Sequence, residues 1–430
     1  MLSDNIARTA EGVLTFAGQR VDALAERYGT PLYLMDAERI RRNCRLYTEA
    51  FRRAFGENAL ALYASKAAAF EEMYRLVNAE GLGVDVVSSG ELLTALAAGF
   101  PPEKIFFHGS CKTDDDLRRG LDAKIGYFVV DNADELSALE REAAARGVEQ
   151  DILLRVTPGI DPHTYAAVNT GMVDSKFGAA IETGQAMELT EAALRCAHLR
   201  LRGLHCHVGS QVFDEDVFER TLDIMIPFLC EIRERTGVTL PMLDLGGGYG
   251  VRYRACDGEV DIPARIEAVA EHMKTLCAKL DFPLPFFLME PGRSIAADAG
   301  MTVYTVGSVK RIPGYKQYVA VNGGMADNPR YALYGARYTA EHVTKVGNEE
   351  IFSLVGCCCE SDDVIEPEAS LPADTCRGDL VAVCTTGAYN HSMSSNYNRL
   401  PRPPVVMLDH GGSYVAVARE SYDDVMSKDM

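Results

Sequence analysis

The stretch Ala59-Leu60-Ala61-Leu62-Tyr63-Ala64-Ser65-Lys66 decides the fold, because an apolar run of this kind followed by a helical stretch recurs along the chain. Short β-branched or apolar runs predict buried strands, and the longer Ala-, Leu- and Glu-rich stretches between them predict helices. A strand, a helix and a second strand form the unit from which parallel sheets are built.

Eight apolar runs share this pattern. They are Ala59–Ala64, Gly83–Val87, Lys104–His108, Gly126–Val130, Asp151–Val156, Leu201–His207, Pro241–Leu245 and Pro285–Glu290. The predicted helices between them include Ala67–Ala79, Gly90–Ala98, Ala133–Ala145, Thr183–Ala197, Asp214–Glu234 and Pro263–Leu280. Repeating β/α units over about 250 residues predict a closed (β/α)8 barrel of the TIM type, since a doubly wound open sheet usually has fewer strands.

After Pro291 the sequence has strand-like runs without long helices, which predicts a β-domain of sandwich or Greek-key type. The runs are Met301–Arg311, Gln317–Val321, Ile351–Val355, Asp379–Val383, Val405–Leu408 and Ser413–Ala418. Two early runs, Gly12–Phe16 and Pro31–Met35, are expected to pair into the same sheet. We therefore predict a barrel over residues 37–294 and a β-domain formed by residues 1–36 and 295–430.

The composition is that of a globular protein, with 430 residues of which 47% are hydrophobic. The net charge of −19 disfavours nucleic acid and acidic membranes as partners. No apolar stretch approaches the ~18 residues of a membrane span, and the beginning of the chain does not resemble a leader. A cytoplasmic location follows as an expectation, with the 12 Cys as thiols.

The carboxyl ends of barrel strands carry the active site in this architecture. The residues at the predicted strand ends are unusually reactive: Lys66, Asp85, His108, Arg155, His205, His207, Asp244, Glu290 and Arg293. An amine buried after an apolar strand has a lowered pKa and attacks aldehydes, so Lys66 is a candidate nucleophile, although a lone Lys at a barrel rim more often only reaches for solvent.

Glu290 ends an apolar run, where a carboxylate needs a cationic partner. A protonated pyridine nitrogen would meet that need, and so would a neighbouring Arg. His207 is placed to stack on a planar cofactor, although a satisfied core histidine is the commoner case. A metal bound by His205 and His207 ranks lower, because the sequence offers no third ligand at suitable spacing, and we expect no metal.

The turn Gly246-Gly247-Gly248-Tyr249-Gly250 is predicted to leave backbone N–H groups free for an oxyanion. The G-x-G-x-x-G spacing of dinucleotide-binding loops fails here, because its last position is Val251.

Ten motifs in order resemble the barrel-type pyridoxal-phosphate decarboxylases. The barrel motifs are Tyr63–Ala67, Gly83–Glu91, Asp174–Gly178, Gly203–Gln211, Leu243–Gly250 and Glu290–Arg293, and the β-domain motifs are Asn322–Met325, Asn328–Tyr334, Cys359–Ser361 and Thr386–Tyr389. Asp174–Gly178, Pro329–Tyr334, Cys359–Ser361 and Met393–Asn398 resemble diaminopimelate decarboxylases more than ornithine or arginine decarboxylases.

The resemblance implies roles for individual residues. It implies that Lys66 binds the cofactor pyridoxal 5′-phosphate covalently, that His207 stacks on its ring and that Glu290 pairs with the ring nitrogen. Residues implied to contact the cofactor elsewhere are Asp85, Ser210, Gly247, Gly248, Gly250, Gly292, Arg293 and Tyr389. Residues implied to contact the substrate are Arg293, Arg330, Tyr334, Glu360 and Tyr389.

The resemblance further implies a homodimer in which Cys359 of one subunit is the acid-base residue in the site of the other. The implied reaction converts meso-2,6-diaminopimelate to L-lysine and CO2, the last step of lysine biosynthesis. The departures from the family pattern are Ser110-Cys111, Asn322 and Asp362.

Three alternatives remain open. A sister enzyme would act on lysine, ornithine or carboxynorspermidine. An amino-acid racemase on the same barrel usually places an Arg at the ring nitrogen, against which Glu290 argues. A regulatory homologue without activity would bind a partner protein, against which Lys66 and Cys359 argue.

Overall fold

The computed structural model describes residues 2–160 and 175–430. Asp174, which opens one predicted motif, lies outside them. By contacts the chain forms two compact units: a barrel unit, Asn43–Gly250 with Glu259–Ser294, and a β-unit, Met1–Arg42 with Val251–Gly258 and Ile295–Met430. The domain division predicted from the sequence stays a prediction, since compactness alone does not define an independently folding domain.

The N-terminal part of the chain supplies four short strands and two helices. They are β1 (Ile6–Arg8), β2 (Leu14–Phe16), β3 (Gln19–Arg20), α1 (Val21–Tyr28), β4 (Leu32–Asp36) and α2 (Ala37–Phe55). Strands β1, β2 and β3 form a separate three-stranded antiparallel sheet.

The barrel unit alternates strands and helices. Its elements are β5 (Ala59–Ala64), α3 (Glu71–Ala79), β6 (Gly83–Val86), α4 (Ser89–Ala97), β7 (Ile105–Phe107), α5 (Asp114–Ala123), β8 (Tyr127–Val130), α6 (Ala133–Arg146), β9 (Gln150–Thr157), β10 (Ala179–Ala180), α7 (Gln185–Leu194), β11 (Leu199–His205), α8 (Val217–Thr236), β12 (Met242–Asp244), α9 (Ile262–Lys279), β13 (Phe286–Met289) and α10 (Arg293–Ala296).

The strand ladder closes on itself. Parallel pairing runs in the order β9-β11-β12-β13-β5-β6-β7-β8, and β8 pairs with β9 to complete the ring. All eight predicted strands are found, and the (β/α)8 barrel is confirmed. A two-residue strand that the sequence did not predict, β10, pairs with the end of β9.

Large side chains fill the barrel interior, so it is a packed core rather than a pore. A layer of buried residues comes from six strands: Leu62, Phe106, Val129, Leu153, Met242 and Leu288. The rings of Phe106 and Tyr127 stack at a centroid distance of 4.4 Å. With its interior filled in this way, the barrel can offer a site only at its rims.

The remaining elements belong to the β-unit. They are β14 (Gly300–Ile312), β15 (Lys316–Val321), α11 (Arg330–Tyr334), β16 (Ala340–His342), β17 (Glu349–Val355), β18 (Val364–Pro372), β19 (Leu380–Cys384), β20 (Val405–Asp409), β21 (Gly412–Val417) and α12 (Tyr422–Met426). The predicted β-domain is confirmed, although β16 and the Pro- and Glu-containing β18 were not predicted.

The long strand β14 joins two parts of the β-sheet. Its first half pairs with β4 and β19, and its second half pairs with β15. The register shifts between Val306 and Ser308, so Gly307 lies at a bulge, and a bulge bends a strand enough to continue into a second layer.

The early run at Pro31–Met35 forms β4, which pairs with β14 and β20, as predicted. The expectation for Gly12–Phe16 was wrong. That run forms β2, whose strand partners are the adjacent β1 and β3, because a local antiparallel pairing costs little loop-closure entropy. No helix among the described residues is long and apolar enough to cross a membrane.

Candidate active site

The carboxyl ends of the barrel strands bring together most of the reactive residues that the sequence predicted. Asp85 lies within β6 and Asp244 ends β12, while His108 and Glu290 follow β7 and β13 directly. Parallel strands end at one rim, so these side chains share the mouth of the barrel.

Lys66 lies on the short 3₁₀ turn Ser65–Ala67 that follows β5. The strand ends at Ala64 as predicted, but the buried amine expected after it is not found, because the side chain of Lys66 on the turn is exposed. Its positive charge nevertheless acts on two neighbours: it partly opposes the increase in the pKa of Asp85 and adds to the decrease that burial causes in the pKa of His207. The ammonium group is therefore close enough to act on both side chains.

Glu290 is 7% exposed and lies between two histidines. Its Oε1 is 2.7 Å from Nε2 of His108, and its Oε2 is 3.4 Å from Nε2 of His205. Oε1 and the Nε2 atoms of both histidines make no hydrogen bond of good geometry within the described residues. Burial raises the pKa of Glu290, but His108 and His205 outweigh burial and hold that pKa well below its usual value, so the carboxylate is ionised.

His205 stays neutral over the physiological range, because burial lowers its pKa to about 3. In the sequence, His205 and His207 were candidate metal ligands, but no third ligand stood at a suitable spacing. In the structure His205 groups instead with His108 and Glu290, whose ligand atoms and its own lie within 4.8 Å of one another.

Two further acids have raised pKa values. Burial raises the pKa of Asp85 to about 6, with a smaller contribution from Glu290. Asp244 is fully buried, and burial followed by the charge of Glu290 raises its pKa well above the usual value. The ionised carboxylate of Glu290 therefore lies beside two acids whose pKa values are raised, Asp244 more strongly than Asp85.

His207 is neutral, because burial and then the charges of Lys66 and Arg155 lower its pKa. Its Nδ1 accepts a hydrogen bond from the N–H of Gly247 at 3.3 Å, which places any ring proton on Nε2. A neutral ring held by the backbone suits stacking against a flat cofactor.

The glycine turn differs in part from its prediction. The N–H groups of Gly246, Gly247 and Gly250 donate to Oδ1 of Asp244, Nδ1 of His207 and the carbonyl of Val212, so they are not free for an oxyanion. The glycines serve close packing instead. A Cβ at Gly247 would lie 2.0 Å from the carbonyl oxygen of Glu290.

Two other glycines of the site also pack closely against residues of other segments of the chain, where a side chain would not fit. A Cβ at Gly248, whose φ is +141°, would lie 2.5 Å from the carbonyl oxygen of Gly209. A Cβ at Gly292 would lie 3.0 Å from the Cβ of Ala64.

Ser210 and Arg293 form a hydrogen-bonded pair. Nε and one terminal nitrogen of Arg293 lie 3.2 Å and 3.0 Å from Oγ of Ser210. Arg293 is 6% exposed. A hydroxyl beside a buried guanidinium is a suitable contact for a phosphate group.

Within the β-unit, Arg330 is enclosed by tyrosine rings. It is 5% exposed and lies 5.1 Å from the ring centre of Tyr389, 5.8 Å from that of Tyr334 and 6.0 Å from that of Tyr253. Its NH1 donates to the carbonyl of Ala388 at 3.2 Å, and its Nε has no hydrogen-bond partner. No carboxylate among the described residues pairs with it.

Cys359 and Glu360 lie on the exposed loop between β17 and β18. The N–H of Cys359 donates to Oδ1 of Asn398 at 2.7 Å, within the Met393–Asn398 segment that carried part of the resemblance. Behind this loop the buried Asp363 accepts from the N–H groups of Met325 at 2.6 Å and Cys358 at 2.7 Å.

The departure at Asn322 has a structural reason. Its Oδ1 accepts from the N–H of Thr305 at 2.8 Å and its Nδ2 donates to Oγ1 of Thr30 at 2.9 Å. An ionised Asp could accept the first bond but could not donate the second. Asp362 is exposed, and Ser110 and Cys111 lie in the loop after β7.

The residues at the barrel mouth fit pyridoxal phosphate. Glu290 offers an ionised carboxylate whose Oε1 lacks a well-placed donor, which a pyridinium N–H can supply. Lys66 offers an exposed amine, His207 a neutral ring, and Ser210 with Arg293 an anion contact. Sequence reasoning named His108 only as the end of a predicted strand and gave it no role. It did not single out Tyr253, which follows the glycine turn.

Comparison with known proteins agrees with this geometry. A family described as "Pyridoxal-dependent decarboxylase, pyridoxal binding domain" matches residues 37–297. The diaminopimelate decarboxylase of Bacillus subtilis is 44% identical over 421 residues, which cover 97% of this chain and 95% of that protein. The chain belongs to the diaminopimelate decarboxylase family.

Solved structures of similar proteins agree with this assignment. The diaminopimelate decarboxylase of M. jannaschii in complex with L-lysine is 33% identical, with a TM-score of 0.92 over 100% of this chain and 99% of that chain. A lysine/ornithine decarboxylase from Vibrio vulnificus in complex with putrescine is 26% identical, with a TM-score of 0.78 over 94% of this chain and 99% of that chain. The family's fold and its cofactor, pyridoxal phosphate, are thus established for this chain.

Proposed function

We propose that this protein removes one carboxylate of meso-2,6-diaminopimelate as CO2 and releases L-lysine, the last step of lysine biosynthesis. The curated relatives at 39–44% identity support this reaction. The observation that carries the choice of substrate is the buried guanidinium of Arg330, which has no carboxylate partner among the described residues.

A buried guanidinium needs an anion. Diaminopimelate carries a second carboxylate at its far end, where lysine and ornithine carry only an ammonium group. A carboxylate binds a guanidinium through two parallel hydrogen bonds, and the tyrosine rings around Arg330 restrict its orientation. Glu360 supplies the opposite charge for the ammonium group of the same end.

Residues of the barrel mouth hold the cofactor in this proposal. Bound pyridoxal phosphate supplies an electron sink for the negative charge left on the α-carbon when CO2 departs. Glu290 keeps a proton on the ring nitrogen, because its carboxylate is ionised and buried. Lys66 holds the cofactor's carbonyl carbon, His207 packs on the ring, and Ser210 with Arg293 binds the phosphate.

Loss of CO2 leaves an α-carbon that must receive a proton. We assign that proton transfer to the Cys359 thiol of the partner subunit, in a homodimer with shared sites, since a positioned acid accelerates such a step. The amine of Lys66 is the alternative donor.

The cytoplasmic location and the lack of nucleic-acid and membrane partners remain predictions. The net charge of −19 supports them, because it repels polyanions.

A substrate panel tests the proposal. The purified protein with added pyridoxal phosphate is incubated separately with meso-diaminopimelate, L-lysine, L-ornithine and carboxynorspermidine, and CO2 release is measured. We expect release from diaminopimelate, with L-lysine as the product, and none with Lys66→Ala. Faster release from lysine or ornithine would assign the protein to the sister activity.

A further inference from the structure

A buried ion pair that is not among the proposed cofactor contacts lies between the loop after β7 and helix α6. Nζ of Lys112 is 2.7 Å from Oε1 of Glu135, and the two side chains are 1% and 3% exposed. Burial raises the pKa of Glu135 above its usual value in spite of the nearby ammonium group. Such a pair contributes little to stability compared with an apolar pair of the same size, so a role of this pair other than stability is worth testing.

The ammonium group of Lys112 uses its other two protons on backbone carbonyls. It donates to the carbonyl of Gly109 at 2.9 Å and to the carbonyl of Val129 at 2.9 Å. Gly109 follows His108 directly, and Val129 lies in β8. One side chain thus fixes the carboxyl ends of two neighbouring barrel strands, with every donor satisfied.

Glu135 extends the connection on its other side. Its Oε2 accepts from the N–H of Asp131 at 3.1 Å, and Oδ1 of Asp131 accepts from the N–H of Gly178 at 3.0 Å. A Cβ at Gly178 would lie only 2.9 Å from the carbonyl oxygen of Arg155. These contacts hold the residues that follow β8 and the segment around Gly178 against Arg155.

The contacts of Lys112 and the contacts of Glu135 both lead to the candidate active site. His108 lies 2.7 Å from Glu290, and Arg155 lies close enough for Asp131, Glu290 and Asp85 to raise its pKa, although burial has the larger, opposite effect. The Lys112–Glu135 pair therefore holds the backbone of Gly109, the residue next to His108, which contacts the Glu290 carboxylate.

We propose that Lys112 is a positioning residue for the cofactor site. Its ammonium group fixes the backbone next to His108 and, through Glu135 and Asp131, the segment packed on Arg155. In this way it aligns Glu290 with the ring nitrogen of the cofactor. The expected change in kcat rests on the proposed function, whereas the expected change in cofactor affinity does not.

The first test replaces Lys112 by Met, which keeps the length of the side chain and removes the charge. We expect kcat on diaminopimelate to fall about 100-fold with little change in KM, since a misplacement near 1 Å has an effect of that size. We also expect the dissociation constant of pyridoxal phosphate for the apo-protein, measured by fluorescence, to rise about tenfold. Metal sites lose affinity by about this factor when the residues that orient their ligands are removed. Unchanged kcat and cofactor affinity would overturn the proposal.

A double variant separates positioning from stability. Lys112→Met with Glu135→Leu replaces the ion pair by an apolar pair, which usually restores stability. We expect its melting temperature to return towards that of the wild type while kcat and cofactor affinity stay low. Recovery of all three would show that the pair is only structural and would refute the inference.

Arg119→Met is the matched control. Arg119 lies on α5 close to Lys112 in the chain, and its ion pair with Asp115 is exposed. We expect wild-type values for all three measurements. If the wild type releases no CO2 from diaminopimelate, the proposed function fails, and the cofactor affinities of these variants still decide the role of Lys112.

Discussion

Oε1 of Glu290 lies 2.7 Å from Nε2 of His108, in a region where both side chains are almost completely buried. The imidazole belongs to the end of the third barrel strand and the carboxylate to the end of the eighth. Because His108 and His205 stabilise the ionised form, Glu290 stays charged in a place where burial alone would neutralise it.

Glu290→Gln removes this charge with little change in shape. We expect kcat to fall by about 10²-fold or more, the usual effect of losing one preorganised charge, while cofactor affinity changes far less because the phosphate contacts remain. Steady-state kinetics and cofactor titration measure the two effects. Glu149→Gln, at an exposed ion pair of the same unit, is the control. Near-normal turnover would mean that Glu290 is a structural residue.

Lys66 is expected to carry the cofactor. Treatment of the cofactor-loaded protein with borohydride should attach pyridoxal phosphate permanently to this one amine, and peptide mass spectrometry should locate it there. The peptide containing Lys112 serves as an internal control, since that ammonium group is fully engaged. A label on a different lysine would overturn the assignment.

Arg330→Lys tests the substrate. An ammonium group cannot form the two parallel bonds of a guanidinium, so we expect kcat/KM for diaminopimelate to fall at least about tenfold, the low end for a charged hydrogen bond. Arg377→Lys, at an exposed position of the same unit, should leave the rate unchanged. Unaltered efficiency of the Arg330 variant would favour lysine or ornithine as substrate.

Shared active sites make a quantitative prediction. Lys66→Ala and Cys359→Ala should each be inactive as homodimers. When their subunits exchange in equal amounts, half of the dimers are mixed, and one of the two sites in each mixed dimer regains both groups. Activity should return to about a quarter of the wild-type value. If mass spectrometry shows exchange and the mixture stays inactive, both groups come from one chain.

Asp327 predicts a pH dependence of stability. Burial raises its pKa to about 7, although Tyr304 donates a hydrogen bond to it, and the nearby Asp363 adds to the increase. The folded state therefore binds a proton that the unfolded state has released above about pH 4. Stability from this group is present below that pH and is lost as the pH rises towards about 7, by at most about 4 kcal/mol.

Asp327→Asn removes the titration. The difference in free energy of unfolding between wild type and variant, from urea denaturation, should fall from pH 4 to pH 7 and stay level above that. A difference that does not change with pH would show that Asp327 has an ordinary pKa.

The sequence by itself determined the barrel, because alternating apolar runs and helical stretches are local patterns that each strand and helix carries in its own residues. It also determined which residue types end the strands. Lys66, His207 and Glu290 could be named in advance, since the architecture places every strand end at one rim.

Tertiary structure decided how those residues interact. Strand β5 ends at Ala64 as predicted, but the burial of Lys66 depends on what packs around the following turn, and the sequence prediction of a buried amine was wrong. The glycine turn uses its N–H groups on Asp244, His207 and Val212, which are partners from three chain segments. The pairing of His108 with Glu290 and the contacts of Arg330 with Tyr253 and Tyr389 join residues far apart in the chain. Distances and burial of that kind follow from packing, and no local pattern of residues encodes them.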